Sequence, residues 1–179
     1  EKGMDRQIQS LKDTPVLGIC GGYQMLGREI IDCGIEDTVG TVPGLGLLDA
    51  VTRFDLYEKR TVQVKKTVTG GGPILDSIRG QEVTGYEIHM GVTKPEGDAA
   101  FGDDGAVAKS GLVIGTYLHG IFENENFRNA FLDFLYRSKN LLRDPAASAQ
   151  SDGYAVLAEC IENNLDTQKI WKMLEIGPQ

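Results

Sequence analysis

The sequence predicts an α/β domain, an open sheet with helices packed against it, and three stretches carry that reading. Residues 16–25 are a short apolar run that ends on Cys20, passes through Gly21 and Gly22 and enters a helical pattern: a strand, a tight turn and a helix. Residues 112–118 are nearly all apolar, as a strand buried on both faces requires. Phe127, Phe131, Phe134 and Leu135 fall on one helical stripe.

A short helical stretch, residues 4–11, precedes the first strand. The helix after Cys20 carries Met25, Leu26 and Ile30 and is expected to run to about Gly34, with Cys33 packed in its last turn. Residues 44–48 form a tight connection, and residues 50–55 and 60–69 form strands. The second of these alternates polar and apolar side chains, the mark of one solvated face. Gly70-Gly71-Gly72-Pro73 is a plain turn, because it lacks the Gly-x-x-x-x-Gly-Lys-Ser/Thr arrangement of a phosphate loop. Residues 82–90 form a strand, and residues 106–109 and 112–118 form a hairpin turning at Ser110-Gly111.

Helices close the chain. The Phe127 stripe reaches Leu141 and Leu142 and stops before Pro145, and residues 145–151 are a small-residue loop. Asp152 caps a helix bearing Leu157, Ile161 and Leu165, and Asp166-Thr167 starts a further segment with Ile170, Trp171 and Leu174. These stripes, with Cys160 among them, are expected in the core.

A chain of 179 residues with 41% apolar content fits one domain, residues 1–179, around a single core. No apolar run approaches the ~18 residues of a membrane helix, no signal segment opens the chain, and three cysteines form no disulfide framework, so a cytoplasmic setting is expected. A net charge of −8 excludes a nucleic-acid surface. The only basic doublets, Lys59-Arg60 and Lys65-Lys66, read as solvated strand edges. A central strand of an open sheet takes neighbours from earlier segments, and only one short helix precedes Cys20. The chain is therefore expected to be the C-terminal piece of a longer protein.

Cys20 projects beyond its strand beside the unpaired N–H groups and positive dipole end of the next helix. There the N–H of Gly21 can hold the oxyanion formed when a thiolate attacks a carbonyl. Gly18-x-Cys20-x-Gly22 repeats the logic of the Gly-x-Ser-x-Gly nucleophile elbow. The plainer reading, a small buried cysteine, does not explain glycines at −2, +1 and +2. Of two histidines, His119 ends a strand beside Gly120 and is the better base; His89 lies inside a strand, where pocket lining fits as well as catalysis. Cys20, His89 and His119 lack the close pair spacing of a metal site, and no metal is expected.

Three motifs then add a resemblance: residues 18–27, from Gly18 through Cys20 to Gly27; residues 85–93, with Gly85-Tyr86-Glu87-Ile88-His89-Met90-Gly91; and residues 115–122, with His119. In this order they resemble the glutamine amidotransferase domain of the cobyric acid synthase family, over essentially the whole chain. Cobyrinic acid a,c-diamide synthases and the glutaminase subunit of the lipid II amidating enzyme are similar but fit the Tyr86–Gly91 run less well. The resemblance implies a flavodoxin-like, class I-type domain with an open, mostly parallel sheet and helices on both faces. It implies that Cys20 attacks the side-chain amide of glutamine, that His119 moves the proton, and that Gln24 and His89 contact substrate. Gln24 shares a helical face with Cys20, which agrees.

The family further implies ammonia transfer to an N-terminal ATP-binding domain of the same protein, where ATP and Mg activate corrin side-chain carboxylates; this domain itself takes no cofactor. The product there is adenosylcobyric acid, made from the a,c-diamide. Two departures stand out. His119-Gly120-Ile121 lacks the glutamate of His-x-Glu, leaving Glu123, another acid, a backbone carbonyl or another domain to orient the histidine. The upstream segment with a second oxyanion donor and the ATP site is not in this chain. Competing readings are a related amidating ligase, a catalytically idle docking domain and an unrelated cysteine hydrolase; retention of Cys20 and His119 together speaks against idleness.

Overall fold

The structure, a computed structural model, describes residues 3–36, 39–57, 59–144 and 153–173, and the chain divides into two compact units, Glu1–Leu141 and Leu142–Gln179. The first unit contains α1 (Met4–Gln9), β1 (Val16–Ile19), α2 (Gly21–Leu26), β2 (Glu29–Asp32), β3 (Gly40–Pro43), β4 (Ala50–Phe54), β5 (Arg60–Thr67), β6 (Glu82–His89), β7 (Val92–Pro95), β8 (Ala106–Val107), β9 (Val113–Thr116), β10 (Leu118–His119) and α3 (Glu125–Ser138).

The strands form three small sheets, ordered β1-β9-β8, β10-β6-β5 and β3-β2-β4-β7. Among the described residues only β1/β9 and β2/β4 run parallel. This corrects the expectation of one mostly parallel sheet: the fold is mixed α/β. Short connections, such as the one from β8 to β9, cannot make the crossover of a dozen or more residues that parallel neighbours need.

Alternation along the pleat makes the first sheet a wall between two cores. Leu17, Ile19, Ile114 and Val107 face a cluster built on Val83, Phe101, Leu118 and Phe127, while Val16, Val113 and Ala106 face one built on Tyr23, Leu26, Leu48 and Tyr117. On the second face Gly18 and Gly115 lie side by side in register. A β-carbon on Gly18 would stand 2.8 Å from the backbone of Gly22, and one on Gly115 would stand 2.7 Å from Tyr23 Cε2. The paired glycines are therefore a slot into which α2 descends, and α3 seals the other core with Phe127.

The helix after Cys20 is shorter than its apolar pattern suggests. It stops at Leu26 because Gly27 passes directly against β4, where a side chain would meet the Ala50 carbonyl at 2.7 Å. Ile30 and Ile31, β-branched, then continue as β2, and Met25 is exposed. Cys33 is correspondingly exposed beyond β2 rather than packed in a helix. Residues 112–118 likewise divide: β9 joins β1 and β10 joins β6, with the bend at Tyr117. The buried Asp104 holds that bend. It accepts a hydrogen bond from the Thr116 hydroxyl and one from Tyr117 N at 3.2 Å, while Thr116 Oγ1 accepts from Leu118 N at 3.0 Å.

The second unit holds α4 (Gly153–Asn164) and α5 (Thr167–Met173). Asp166 caps α5 as the sequence implies, its Oδ1 accepting from Lys169 N at 3.0 Å. The expected core stripe is not buried: Leu157, Ile161, Leu165 and Ile170 are exposed, and so is Cys160. Two short helices alone have too little interior to cover such a stripe. Pro145, the 145–151 loop, Asp152, Leu174 and the Trp171 side chain lie outside the described residues.

Candidate active site

The elbow takes its shape from β1 and β9. Cys20 N donates to the Thr116 carbonyl at 2.9 Å, the last ladder bond of the parallel pair, and the chain then turns at Cys20 with φ 55° and ψ −117°. A positive φ on a residue with a β-carbon is a strained state, held by its surroundings and concentrated at functional sites. Nothing lies within 4 Å of where a Gly21 β-carbon would be, so the first residue of α2 has open space on that side. The half-buried thiol donates to the Ile88 carbonyl at 3.3 Å.

Cys20, Gly21 and Gln24 line one pocket together with Asp32, Glu36 and Met90. Asp32 is engaged in its own turn, accepting from Gly34 N at 2.9 Å and Ile35 N at 2.7 Å. Gln24 Nε2 donates to the Met90 carbonyl at 3.0 Å and to the Tyr117 hydroxyl at 3.1 Å. Tyr117 stacks on His89, with ring centroids 3.8 Å apart, and His89 Nδ1 is 2.9 Å from the Gly91 carbonyl. Thus Cys20, Gly21 and Gln24 converge, and His89 reaches them through Tyr117.

His119 stands at the end of β10, opposite Tyr86, and its Nε2 is buried without a hydrogen-bond partner. The parallel pairing of β1 and β9 brings the elbow and the Tyr117–His119 segment out at the same end of the sheet, although the thiol is bonded to Ile88 and not to either imidazole. Glu123 folds back over Gly120, its carboxylate 3.4 Å from where a β-carbon would sit; no hydrogen bond joins it to His119.

A second cavity of about 600 Å³ is lined by Tyr117 and His89 together with Lys66, Glu87 and Asp104. Glu87, buried, pairs with Arg60 and with Lys66 at 2.7 Å. The Lys65-Lys66 doublet is thus only half a solvated edge: Lys65 is exposed, whereas Lys66 points inward, 9% exposed. Burial opposes its charge, but hydrogen bonds to Asp103 and Glu87 outweigh that and hold its pKa above the ordinary value. Burial also pushes the Asp104 carboxyl and the Tyr117 phenol upward. Tyr117 and Thr93 lie within the motifs of residues 115–122 and 85–93 but receive no role there, Lys66 reads from the sequence as a solvated edge, and Asp104 sits in a turn that reads as ordinary structure. At Gly70–Gly72 the chain packs closely: a β-carbon on Gly70 would meet Leu75 and Ala100, and one on Gly72 would meet Gly111, so the glycines are required by packing. Among the described residues no group of three metal-ligating side chains converges and no helix is long and apolar enough to cross a membrane.

A thiol on a strained strand-to-helix elbow, at the first turn of a helix in a mixed α/β fold, is the arrangement used by proteins that carry out acyl transfer through cysteine. The chain belongs to the CobB/CobQ-like glutamine amidotransferase domain family, whose profile matches residues 1–127. It is 53% identical over 174 residues to a probable cobyric acid synthase of Methanosarcina mazei, a match covering 96% of this chain and 36% of the relative. A probable cobyric acid synthase of Methanococcoides burtonii is 51% identical over 181 residues, covering 100% of this chain and 36% of the relative. That of Archaeoglobus fulgidus is 44% identical, covering 89% and 32%. The chain therefore spans about a third of the length of these relatives. A crystal structure of a glutamine amidotransferase aligns over 74% of this chain and 68% of its own at 17% identity, with a TM-score of 0.41.

Proposed function

We propose that this chain hydrolyses glutamine at Cys20 and supplies the ammonia for ATP-dependent amidation of corrin side-chain carboxylates, as the glutaminase part of a longer cobyric acid synthase. The observation that carries the reading is the strained elbow, in a family of glutamine amidotransferases. Cys20 Sγ, leaving the Ile88 carbonyl, attacks the carboxamide carbon, and the new oxyanion meets Gly21 N–H. The carbon–nitrogen bond breaks, and ammonia departs with a proton passed by His119. Water then hydrolyses the glutamyl thioester to glutamate and returns the thiol. Asp32 and Glu36 give the pocket a negative lining suited to an α-ammonium group. In this reading ATP and Mg act in a separate synthetase domain, in keeping with a chain that spans about a third of the length of the cobyric acid synthases it resembles.

In the full-length protein, Cys20→Ser should abolish glutamine-dependent amidation yet leave amidation with added ammonia. Equal loss of both would count against Cys20 as the nucleophile. His119→Ala should slow glutamine hydrolysis ~10² to 10⁴-fold, and His89→Ala should do less. If Cys20 alkylation slows with His89→Ala and not with His119→Ala, the two histidines exchange roles.

A further inference from the structure

Gln24 enters the cysteine pocket with the polarity of its amide already decided. The Met90 carbonyl 3.0 Å away can only accept, so the atom facing it is the amide nitrogen and not the oxygen. The second N–H of the same group is directed at the Tyr117 hydroxyl. That hydroxyl accepts from Gln24 and is hydrogen-bonded to Thr93 Oγ1 at 2.6 Å, which is in turn hydrogen-bonded to Thr52 Oγ1 at 2.8 Å, so the three hydroxyls form one continuous chain. With both N–H groups occupied, Gln24 has only its carbonyl oxygen to offer a ligand. Tyr117 has no freedom to release it: the ring is 5% exposed, stacked on His89, edge-on to Tyr23 at 5.2 Å, and its backbone N–H is held by Asp104.

We propose that Tyr117, backed by Thr93 and Thr52, is a positioning residue that fixes the Gln24 amide so that the pocket presents an acceptor to an N–H donor of the bound glutamine. The inference rests on the glutaminase reading above and deepens it. Glu36, which also lines the pocket, adds a second acceptor that suits a ligand with N–H donors.

Tyr117→Phe removes the hydroxyl and keeps the ring. In the full-length protein it should raise the KM for glutamine about three- to tenfold, the worth of one neutral hydrogen bond, with a smaller change in kcat. Thr93→Val should act in the same direction and less strongly. In a Gln24→Ala background, Tyr117→Phe should add less than a twofold change, because the hydroxyl then has nothing to orient. Iodoacetamide, which needs no amide contact, should alkylate Cys20 at the same rate with and without Tyr117→Phe, whereas a glutamine-shaped diazoketone should react more slowly with the variant. An unchanged KM, or the same rise in the Gln24→Ala background as in the parent, overturns the proposal. Absence of glutamine hydrolysis by the unmodified protein is a separate outcome, visible before any variant is made, and overturns the functional reading together with this one.

Discussion

Adding one methyl group at position 115 should loosen the helix that follows the candidate nucleophile. The β-carbon of Gly115→Ala would stand 2.7 Å from Tyr23 Cε2 and 2.8 Å from Leu48 Cδ1, roughly 1 Å inside the ~3.5–4.0 Å separation at which carbon pairs attract. Tyr23 and Leu48 are 1% and 2% exposed, so neither ring nor branch has room to retreat. Overpacking of a closed core costs about 1–3 kcal/mol. At ~2–4 °C per kcal/mol for a domain of this size, the Tm should fall by about 2–12 °C. Thermal unfolding followed by circular dichroism measures it, and Gly97→Ala, where a β-carbon meets nothing within 4 Å, is the control. Relief of the clash requires Tyr23 to lift α2, so the rate of Cys20 alkylation should change along with stability. A Gly115→Ala protein within about 0.5 kcal/mol of the Gly97→Ala control would refute the slot, since surface substitutions fall in that range.

Two further outcomes follow from backbone strain and from a buried acid. Cys20→Gly should be more stable than Cys20→Ala by about 1 kcal/mol, the reverse of the order in an ordinary helix or strand, because only glycine adopts φ 55° without cost; equal unfolding midpoints would show the elbow to be unstrained. Asp104 has a carboxyl pKa raised by burial, despite hydrogen bonds from Thr116 and Tyr117, so its contribution is fully present below its ordinary value of 3.8 and is lost as pH rises through the folded value. The stability of the parent relative to Asp104→Asn should therefore decline from pH 3.5 to pH 7 in urea titrations, and a rise would contradict the burial of that carboxylate.

The elbow was legible because its defining glycines are local: Gly18 and Gly22 meet across four positions, and the cysteine stands between them, although Thr116 and Gly115 from β9 complete it. Strands β4, β5 and β6 and the β8–β9 hairpin were legible for the same reason, through alternation and turn glycines. What escaped depends on contacts distant in sequence. Ile30 and Ile31 suit a helix stripe as well as a strand until Gly27 meets Ala50, and β3 and β7 form only by pairing with β2 and β4. Lys66 looks solvated until Glu87 arrives from β6, and Tyr117 looks like one more apolar strand residue until Asp104 bends the chain. The stripes of α4 and α5 have helical periodicity but no covering core in their own unit.

The run from β9 through Tyr117 to β10 also sets how the chain can change in length over evolution. Thr116 is in register with Ile19, and two residues later Leu118 is in register with Glu87, so one tyrosine is the whole connection between two ladders. Because side chains alternate, one residue inserted or deleted there would slip a ladder and turn His119 to the opposite face. Residues 139–142, after α3, are exposed and belong to no strand ladder, so a change of length there shifts no register. Length differences among related chains should gather at places like the latter, while the distance in residues from Thr116 to His119 behaves as a fixed gauge.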